Sequence, residues 1–309
     1  MKPRALSPTI PGTTTDRTGT QGIQRRAVAA IRRRFAGLRA EVLAIFERIP
    51  RIALNEDQFG HTLYSFTAEQ IAATSLNLAE AVQRWIADAR EPSALNWFTV
   101  YQSEAAQAGA AQSAANLTRL SATYAASRTL AEVVTSEPYR LRATLAQFRN
   151  LDHWTALAAE QKSELSSIIT KAVIDGKNPR AVRKEIMDRL GVSETRAYGY
   201  AQTEITNTLR DARIAEKQEA EDELGLSLGL LWTSALLPTT RPWHASRNGS
   251  VYTTEEVKAF YSERGNKYRC HCGITEVLLD EDGQPVLSDT ARATFKRERE
   301  SWDRTRKPR

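Results

Sequence analysis

The spacing of apolar residues predicts helices through the first two thirds of the chain. From Gln21, apolar residues recur at helical spacing as far as Ile49. Pro50 disfavours helical geometry in the residue before it, so this first helix is expected to end there. Its polar side carries a run of basic residues, named here the arginine stripe: Arg25, Arg26, Arg32, Arg33 and Arg34. The pattern predicts a basic amphipathic helix.

Alanine-rich sequence follows, and alanine is the strongest helix former. Small side chains also let neighbouring helices approach closely. A DGKNPR turn at 175–180 interrupts the pattern, and Gly191 is typical of a helix C-cap. Further helices are predicted at about 67–89, at 92–133, from 138, at 155–174, from the turn to Gly191, and from 193 to 223.

Beyond Leu224 the segments become shorter. Strand-like sequence surrounds 228–233, a turn is expected at Asn248 and Gly249, and Thr254 is expected to cap a short helix. The sequence KYRCHCGITEVLL predicts another strand, and DEDGQPVLS predicts a hairpin. Short strands separated by turns and one short helix are typical of a small α+β domain.

These patterns predict a mainly α protein with two domains. Residues 1–20, rich in proline, threonine and glycine, are expected to form a flexible arm. A helical domain is expected at 21–190 and an α+β domain at 191–288, followed by a charged, basic tail at 289–309 that is expected to form a fraying helix.

Composition changes this picture mainly through charge. The chain has 309 residues, of which 41% are hydrophobic and 26% are charged, which is ordinary for a folded globular protein. Its net charge of +6 is concentrated at the two ends, since residues 1–60 carry +6 and residues 286–309 carry +4. Such ends favour a polyanion such as nucleic acid, or an acidic partner surface. The alternative is that both ends are simply solvated.

Membrane insertion and secretion are not expected from the sequence. The apolar runs fall far short of the roughly 20 residues that span a bilayer. The amino-terminal residues contain no apolar core of a secretory signal, so synthesis in the cytoplasm is expected.

The only two cysteines suggest a metal site. Cys270 and Cys272 flank His271, and residues two apart share one face of a strand. Together with the distant His244, they form a plausible three-ligand zinc site with a fourth position for water or a carboxylate. The ligand set is incomplete, since the sequence has no second cysteine pair, so the expectation is that no cofactor binds: both sulfurs pack in a core while His244 hydrogen-bonds a loop. Nucleophilic catalysis by a cysteine is less favoured, since no orienting third group is recognisable.

A buried ion pair is the other candidate constellation. Glu204 lies on a predicted helix and is within reach of Arg241 or Arg269 if that helix packs over the loop. A carboxylate held by arginine is more often a structural clamp than a catalytic acid.

The order of several motifs from Ser163 to Ile274 resembles one family. The motifs are GKNPRAVRKEIMDRLGVSETRA, YAQTEITNTLRDA, the strand with Trp232, TRPWH, an Asn-Gly turn and RCHC. In this order they resemble the Mu F-like phage head morphogenesis family, the minor capsid proteins associated with the portals of tailed phages. Three positions depart from the family pattern: Gln202, Leu237 and Thr239.

The resemblance implies a structural protein and not an enzyme. It implies a location inside the head near the portal vertex, and in the host cytoplasm during assembly. The implied partners are the portal protein, capsid or scaffolding proteins, and double-stranded DNA bound without sequence preference. The implied roles are virion assembly, DNA packaging or DNA delivery. The positions that match the family, and that are implied to hold the small domain together, are Thr203, Glu204, Arg241, His244, Cys270 and Cys272.

Two other functional classes are alternatives to a structural phage-head protein. One is a zinc-dependent hydrolase or nuclease centred on Cys270, Cys272 and His244, with a metal-activated water. The other is a stand-alone DNA-binding regulator, for which the sequence offers no helix-turn-helix signature. The arginine stripe is the expected contact for DNA or for an acidic face of the portal.

Overall fold

The computed structural model describes residues 7–52, 62–65, 67–87 and 97–305. These residues form ten α-helices and two small antiparallel sheets, so the prediction of a mainly α fold is confirmed. None of the described helices combines the length and apolarity needed to cross a lipid bilayer.

The long helices alternate with short elements along the chain. The helices are α1 (Gln21–Glu47), α2 (Ala68–Val82), α3 (Thr99–Leu120), α4 (Ala122–Ser127), α5 (Leu130–Thr135), α6 (Glu137–Ile174), α7 (Pro179–Leu224), α8 (Pro242–Ala245), α9 (Thr254–Ser262) and α10 (Asp289–Thr305). A π-helical turn, Gln83–Ala87, continues α2. The strands are β1 (Arg51–Ile52), β2 (Leu63–Tyr64), β3 (Leu228–Thr233), β4 (Val251–Tyr252) and β5 (Gly273–Leu278).

The chain divides into two compact units that interleave in sequence. The central unit comprises residues 26–100 and 146–199, and the C-terminal unit comprises residues up to 25, residues 101–145 and residues from 200 onward. The predicted boundary between 190 and 191 lies inside α7, which runs unbroken through Gly191. A glycine costs a helix only about 1 kcal/mol. Because Gly191 does not adopt a positive φ, it does not cap the helix.

The central unit is built on α1. Its apolar face, which includes Phe35, Leu38 and Val42, is fully buried, as the periodicity predicts. Gly37 lies where a Cβ atom would collide with the ring of Trp85, so the small residue permits this close packing. β1 and β2 pair antiparallel in the same unit.

The C-terminal unit contains the sheet that positions the candidate site. β3 lies between β4 and β5 and pairs antiparallel with both. All six residues of β3 are buried, as expected for the central strand of a covered sheet. In α3, Gly109 approaches the backbone of Leu209 in α7, so close packing of small residues is found here too.

Both ends of the described chain pack into the C-terminal unit. Within the predicted flexible arm, Thr18 and Thr20 are fully buried, and Arg17 forms an ion pair with Glu298 at 2.6 Å. The end of this segment, Arg17 to Thr20, is therefore largely packed, because its polar groups find internal partners that composition alone does not reveal, whereas residues 12–15 are exposed. The predicted tail forms α10, which buries Phe295 and Trp302.

Other predicted elements differ in their limits. The helices expected from 138 and at 155–174 are one helix, α6, and the long helix expected at 92–133 is divided into α3, α4 and α5. The breaks fall where Ser121 and Thr129 accept hydrogen bonds from backbone amides and so begin new helices. Thr253, and not Thr254, caps α9. The expected junction between residues 89 and 92 lies outside the described residues.

Candidate functional site

Three side chains of the C-terminal unit converge on one point. The Nδ1 atom of His244 lies 3.4 Å from Sγ of Cys270 and 3.8 Å from Sγ of Cys272. The three residues are buried, with exposures of 2%, 5% and 2% respectively. Each residue offers one potential metal-ligand atom, and the three atoms all lie within 4.8 Å of one another. No other group of three or more His, Cys, Asp or Glu side chains among the described residues meets this distance. Neither cysteine forms a disulfide.

Local structure on both sides holds the group in place. His244 lies in α8, a single helical turn that begins at Pro242, where the fixed φ of proline favours the first helical position. Both cysteines precede β5 and are not part of it, which corrects the prediction that they lie on one strand. They nevertheless face the same imidazole nitrogen.

Arg241 joins α8 to the loop before the cysteines. Its guanidinium group donates to the backbone carbonyls of Asn266 at 3.2 Å and Tyr268 at 3.0 Å. Its Nη1 atom also lies 3.4 Å from Nε2 of His244. One side chain therefore contacts both the histidine and the loop that leads to the cysteines.

Arg210 of α7 holds the cysteine segment from the other side. Its Nη2 atom donates to the carbonyl of Cys270 at 2.9 Å and to that of Cys272 at 3.2 Å. The guanidinium group also stacks over the ring of Tyr261, 4.2 Å from the ring centre. Arg210 is buried, so it places a positive charge in a dry environment close to both sulfurs. That charge favours the thiolate form, which is the form that binds metals.

The two thiols have opposite proton affinities. Burial is the largest single influence on the pKa of Cys270, and it opposes ionisation. The hydrogen bond with Cys272, the charge of Arg210 and the contact with His244 together outweigh burial. They lower the pKa of Cys270 well below its usual range. The hydrogen bond with Cys270, followed by burial, raises the pKa of Cys272 well above its usual range. The two thiols therefore titrate as a coupled pair, in which the first proton is lost more readily than the second.

Aromatic rings enclose the group. The ring of His244 packs edge-on against Phe260 at 4.9 Å between ring centres and against Trp232 at 6.0 Å. Tyr261 stacks on Trp232 at 5.2 Å, and its hydroxyl lies 3.7 Å from Sγ of Cys270. These rings bury the site in an apolar environment.

The comparison with known families covers this region. Residues 163–275 match the family model described as Phage Mu protein F like protein. This segment is Mu F-like. Neither the curated proteins nor the solved structures gave a match to the chain. The match covers a little over a third of the 309 residues of the chain.

The Mu F-like segment contains the whole candidate site. It begins within α6 and ends within β5, so it includes His244, both cysteines and Arg210. It also includes the Asn-Gly turn, whose role is structural: Asn248 accepts a hydrogen bond from the amide of Ser234 at 2.8 Å, and the hydroxyl of Ser234 donates to the carbonyl of His244 at 2.6 Å. The turn thus helps to position His244.

The residues predicted as a clamp lie around the same loop. Thr203 accepts a hydrogen bond from the amide of Arg269 at 3.0 Å, and Arg269 adopts a positive φ of 49°. Thr203 and Arg241 therefore fasten neighbouring parts of one loop of the Mu F-like segment. Glu204 is half-buried beside Thr203 on α7, and its pairing with Arg241 or Arg269 stays a prediction.

Sequence reasoning missed Arg210 and Arg213 of α7. Arg213 is fully buried and pairs with Glu276 of β5. The signal in the sequence was the spacing of polar residues along α7. Two threonines and the two arginines follow one another at intervals of three or four residues, which places them on one face of the helix. That face carries Thr203, Thr206, Arg210, Arg213 and Lys217, all of which are buried.

The arginine stripe lies outside the Mu F-like segment, on α1. Four of its members are exposed, namely Arg25, Arg26, Arg32 and Arg33. Arg34 is half-buried, since its guanidinium group donates to the carbonyl of Trp85 at 3.2 Å and lies over the ring of Trp97. Four of the five predicted contact residues are therefore accessible to a partner.

Proposed function

We propose that this chain is a minor capsid protein that associates with the portal inside a phage head and aids capsid assembly, DNA packaging or DNA delivery. The observation that carries the proposal is the match of residues 163–275 to the Mu F-like family. That match supports a role in head morphogenesis, and the portal as the docking partner is a further step of the proposal.

The character of the candidate site supports a structural role over a catalytic one. A zinc-dependent hydrolase or nuclease needs an open metal position that a substrate can reach. The three potential ligands are at most 5% exposed and are enclosed by aromatic rings. Their surroundings resemble a core that holds a small domain together. We therefore propose that the protein is not an enzyme.

The exposed part of the arginine stripe supports DNA or an acidic portal face as a partner. Arg25, Arg26, Arg32 and Arg33 place four positive charges along the exposed side of one helix. Basic side chains in such an array bind phosphates without reading base sequence. Packaged double-stranded DNA presents a dense array of phosphates.

A deletion with complementation tests the proposal. The gene is removed from the genome that encodes it, and the chain is supplied in trans, alone or together with an affinity-tagged portal protein from the same genome. We expect deletion to reduce the yield of DNA-filled heads, the supplied chain to restore it, and the portal protein to capture the chain. Normal yields of filled heads after deletion, with no capture by the portal protein, would contradict the proposal.

A further inference from the structure

We propose that His244, Cys270 and Cys272 bind one Zn²⁺ ion that stabilises the C-terminal unit. The inference is independent of the proposed head-assembly function, because it rests on the three side chains, their distances and their surroundings. Two thiolates and one imidazole are a combination that proteins use for zinc, and sulfur ligands disfavour the hard ions Mg²⁺ and Ca²⁺.

The distances fit a shared metal ion. When zinc is bound tetrahedrally, Zn–S bonds of about 2.3 Å and Zn–N bonds of about 2.0 Å place a sulfur and a nitrogen about 3.5 Å apart. The two distances between His244 Nδ1 and the cysteine sulfurs are 3.4 Å and 3.8 Å. A single Nδ1 atom carries either one hydrogen or one lone pair, so it cannot make a good hydrogen bond to both sulfurs. One metal ion between the three atoms satisfies all of them.

The surroundings of the group suit a structural ion. Arg210 holds the carbonyls of both cysteines, so the segment that carries the sulfurs is fixed before a metal binds. Phe260 and Trp232 pack against the imidazole and limit the access of water. The described residues supply no fourth His, Cys, Asp or Glu to the group, so a tetrahedral ion would take a water molecule as its fourth ligand. Three protein ligands and a water are also the set of catalytic zinc, and it is the burial of all three side chains that favours a structural ion here.

The ion would connect two parts of the fold that are distant in sequence. His244 lies in α8, which follows β3, and the cysteines immediately precede β5. Zinc would therefore cross-link the connections that lead from β3 and into β5. Because such a site does not exist in the unfolded chain, metal binding adds directly to the stability of the folded state.

The competing arrangement is a hydrogen-bonded cluster without metal. Nη1 of Arg241 lies 3.4 Å from Nε2 of His244. If Arg241 donates to Nε2, the remaining imidazole hydrogen is on Nδ1 and points at the sulfurs, and that hydrogen excludes a metal. Binding through Nδ1 instead requires the hydrogen on Nε2. The two arrangements therefore differ in metal content.

Metal analysis of the full-length protein distinguishes them. The protein is purified from zinc-supplemented medium without chelators, and its metals are measured by mass spectrometry. We expect one equivalent of zinc per chain and a fall in melting temperature after treatment with a chelator, reversed by adding zinc. Cobalt added to the chelator-treated protein should give the thiolate-to-metal charge-transfer band and the strong visible bands of a tetrahedral site.

Variants assign the ligands. Cys270→Ser, Cys272→Ser and His244→Ala should each lose the zinc and the cobalt spectrum, whereas His271→Ala, which changes the histidine between the cysteines, should retain both. The chelator and cobalt experiments on the unaltered chain remain decisive even if a ligand variant fails to fold. Protein that is folded without metal, takes up neither ion, and melts at the same temperature with and without chelator would overturn the proposal. Uptake unchanged by both serine variants would also overturn it.

Discussion

Arg213 and Glu276 form a two-pronged ion pair at the centre of the C-terminal unit. Nε and Nη2 of Arg213 donate to the two carboxylate oxygens at 3.1 Å and 2.6 Å, and the side chains are 1% and 0% exposed. Ser113 and Asn116 of α3 also donate to the carboxylate. This one carboxylate therefore connects β5 to both α3 and α7.

Breaking this pair is expected to be costly. Arg213→Met leaves a buried carboxylate without its cation, and such changes cost about 3–5 kcal/mol of unfolding free energy. Denaturant unfolding measures the change. Arg180→Met is the matched control at an exposed site and should cost less than about 0.5 kcal/mol. The double variant Arg213→Met with Glu276→Leu should cost less than the sum of the two single changes. Equal stability of the Arg213→Met protein and the unaltered chain would contradict this assignment.

The Asn-Gly turn depends on glycine for two reasons. Gly249 has a φ of 83°, and a Cβ atom there would lie 2.6 Å from Cβ of Phe295. Gly249→Ala should therefore cost about 2–4 kcal/mol, from backbone strain and collision together. Gly283 has a similar φ of 73° with open space around it, so Gly283→Ala should cost only about 1 kcal/mol. Thermal and denaturant unfolding measure the stability that each variant loses, and the difference between the two losses gives the cost of the collision with Phe295. Equal losses of stability in the two variants would show that Phe295 does not pack against residue 249.

His153 should make stability depend on pH. Burial, followed by the positive charge of Arg196, lowers the pKa of His153 to about 4. In the unfolded chain that pKa is about 6.5. Between these values the unfolded state binds more protons than the folded state, so the free energy of unfolding rises with pH and falls on acidification.

His153→Gln should remove this dependence. On moving from about pH 7 to pH 4.5, the unaltered chain should lose about 1–2 kcal/mol more than the variant, a figure that allows for solvent screening of a half-buried ring. Lys162→Gln, an exposed change on the same helix, should leave the pH dependence unaltered. Parallel stability curves for the unaltered chain and the His153→Gln variant would contradict the lowered pKa.

Changing the arginine stripe should weaken DNA binding in a salt-dependent way. In one variant, four exposed charges are removed by changing Arg25, Arg26, Arg32 and Arg33 to Gln. The log of the DNA association constant falls as the log of the salt concentration rises, and each lost phosphate contact makes this slope shallower by about 0.9. The control variant changes four other exposed basic residues to Gln, so its net charge is the same: Lys162, Lys171, Arg180 and Lys184. Fluorescence anisotropy with duplex DNA at several salt concentrations measures both. Equal loss in the two variants would make the effect one of net charge alone.

Much of the fold could be predicted from local sequence signals. The apolar periodicity of α1, the buried run of β3 and the Asn248-Gly249 turn each depend on residues that are close in sequence. The limits of α6 and α7 were harder to predict. Gly191 is typical of a helix end, but the rest of α7 keeps it helical.

The candidate site could also be predicted only in part. His244, Cys270 and Cys272 could be selected by residue type, because few other side chains bind soft metals. The supporting arginines could not be assigned, since the carbonyls that Arg210 contacts lie 60 and 62 residues away and Glu276 lies 63 residues from Arg213. A charged residue on a helix face is usually solvated, and only the fold reveals these partners.

The most direct test of the central claim is quantitative mass spectrometry of purified heads and procapsids produced by the genome that encodes this chain. The proposed function predicts that the chain is present in both particles at a defined, low stoichiometry to the portal subunit. Its absence from both particles would contradict a role as a minor capsid protein.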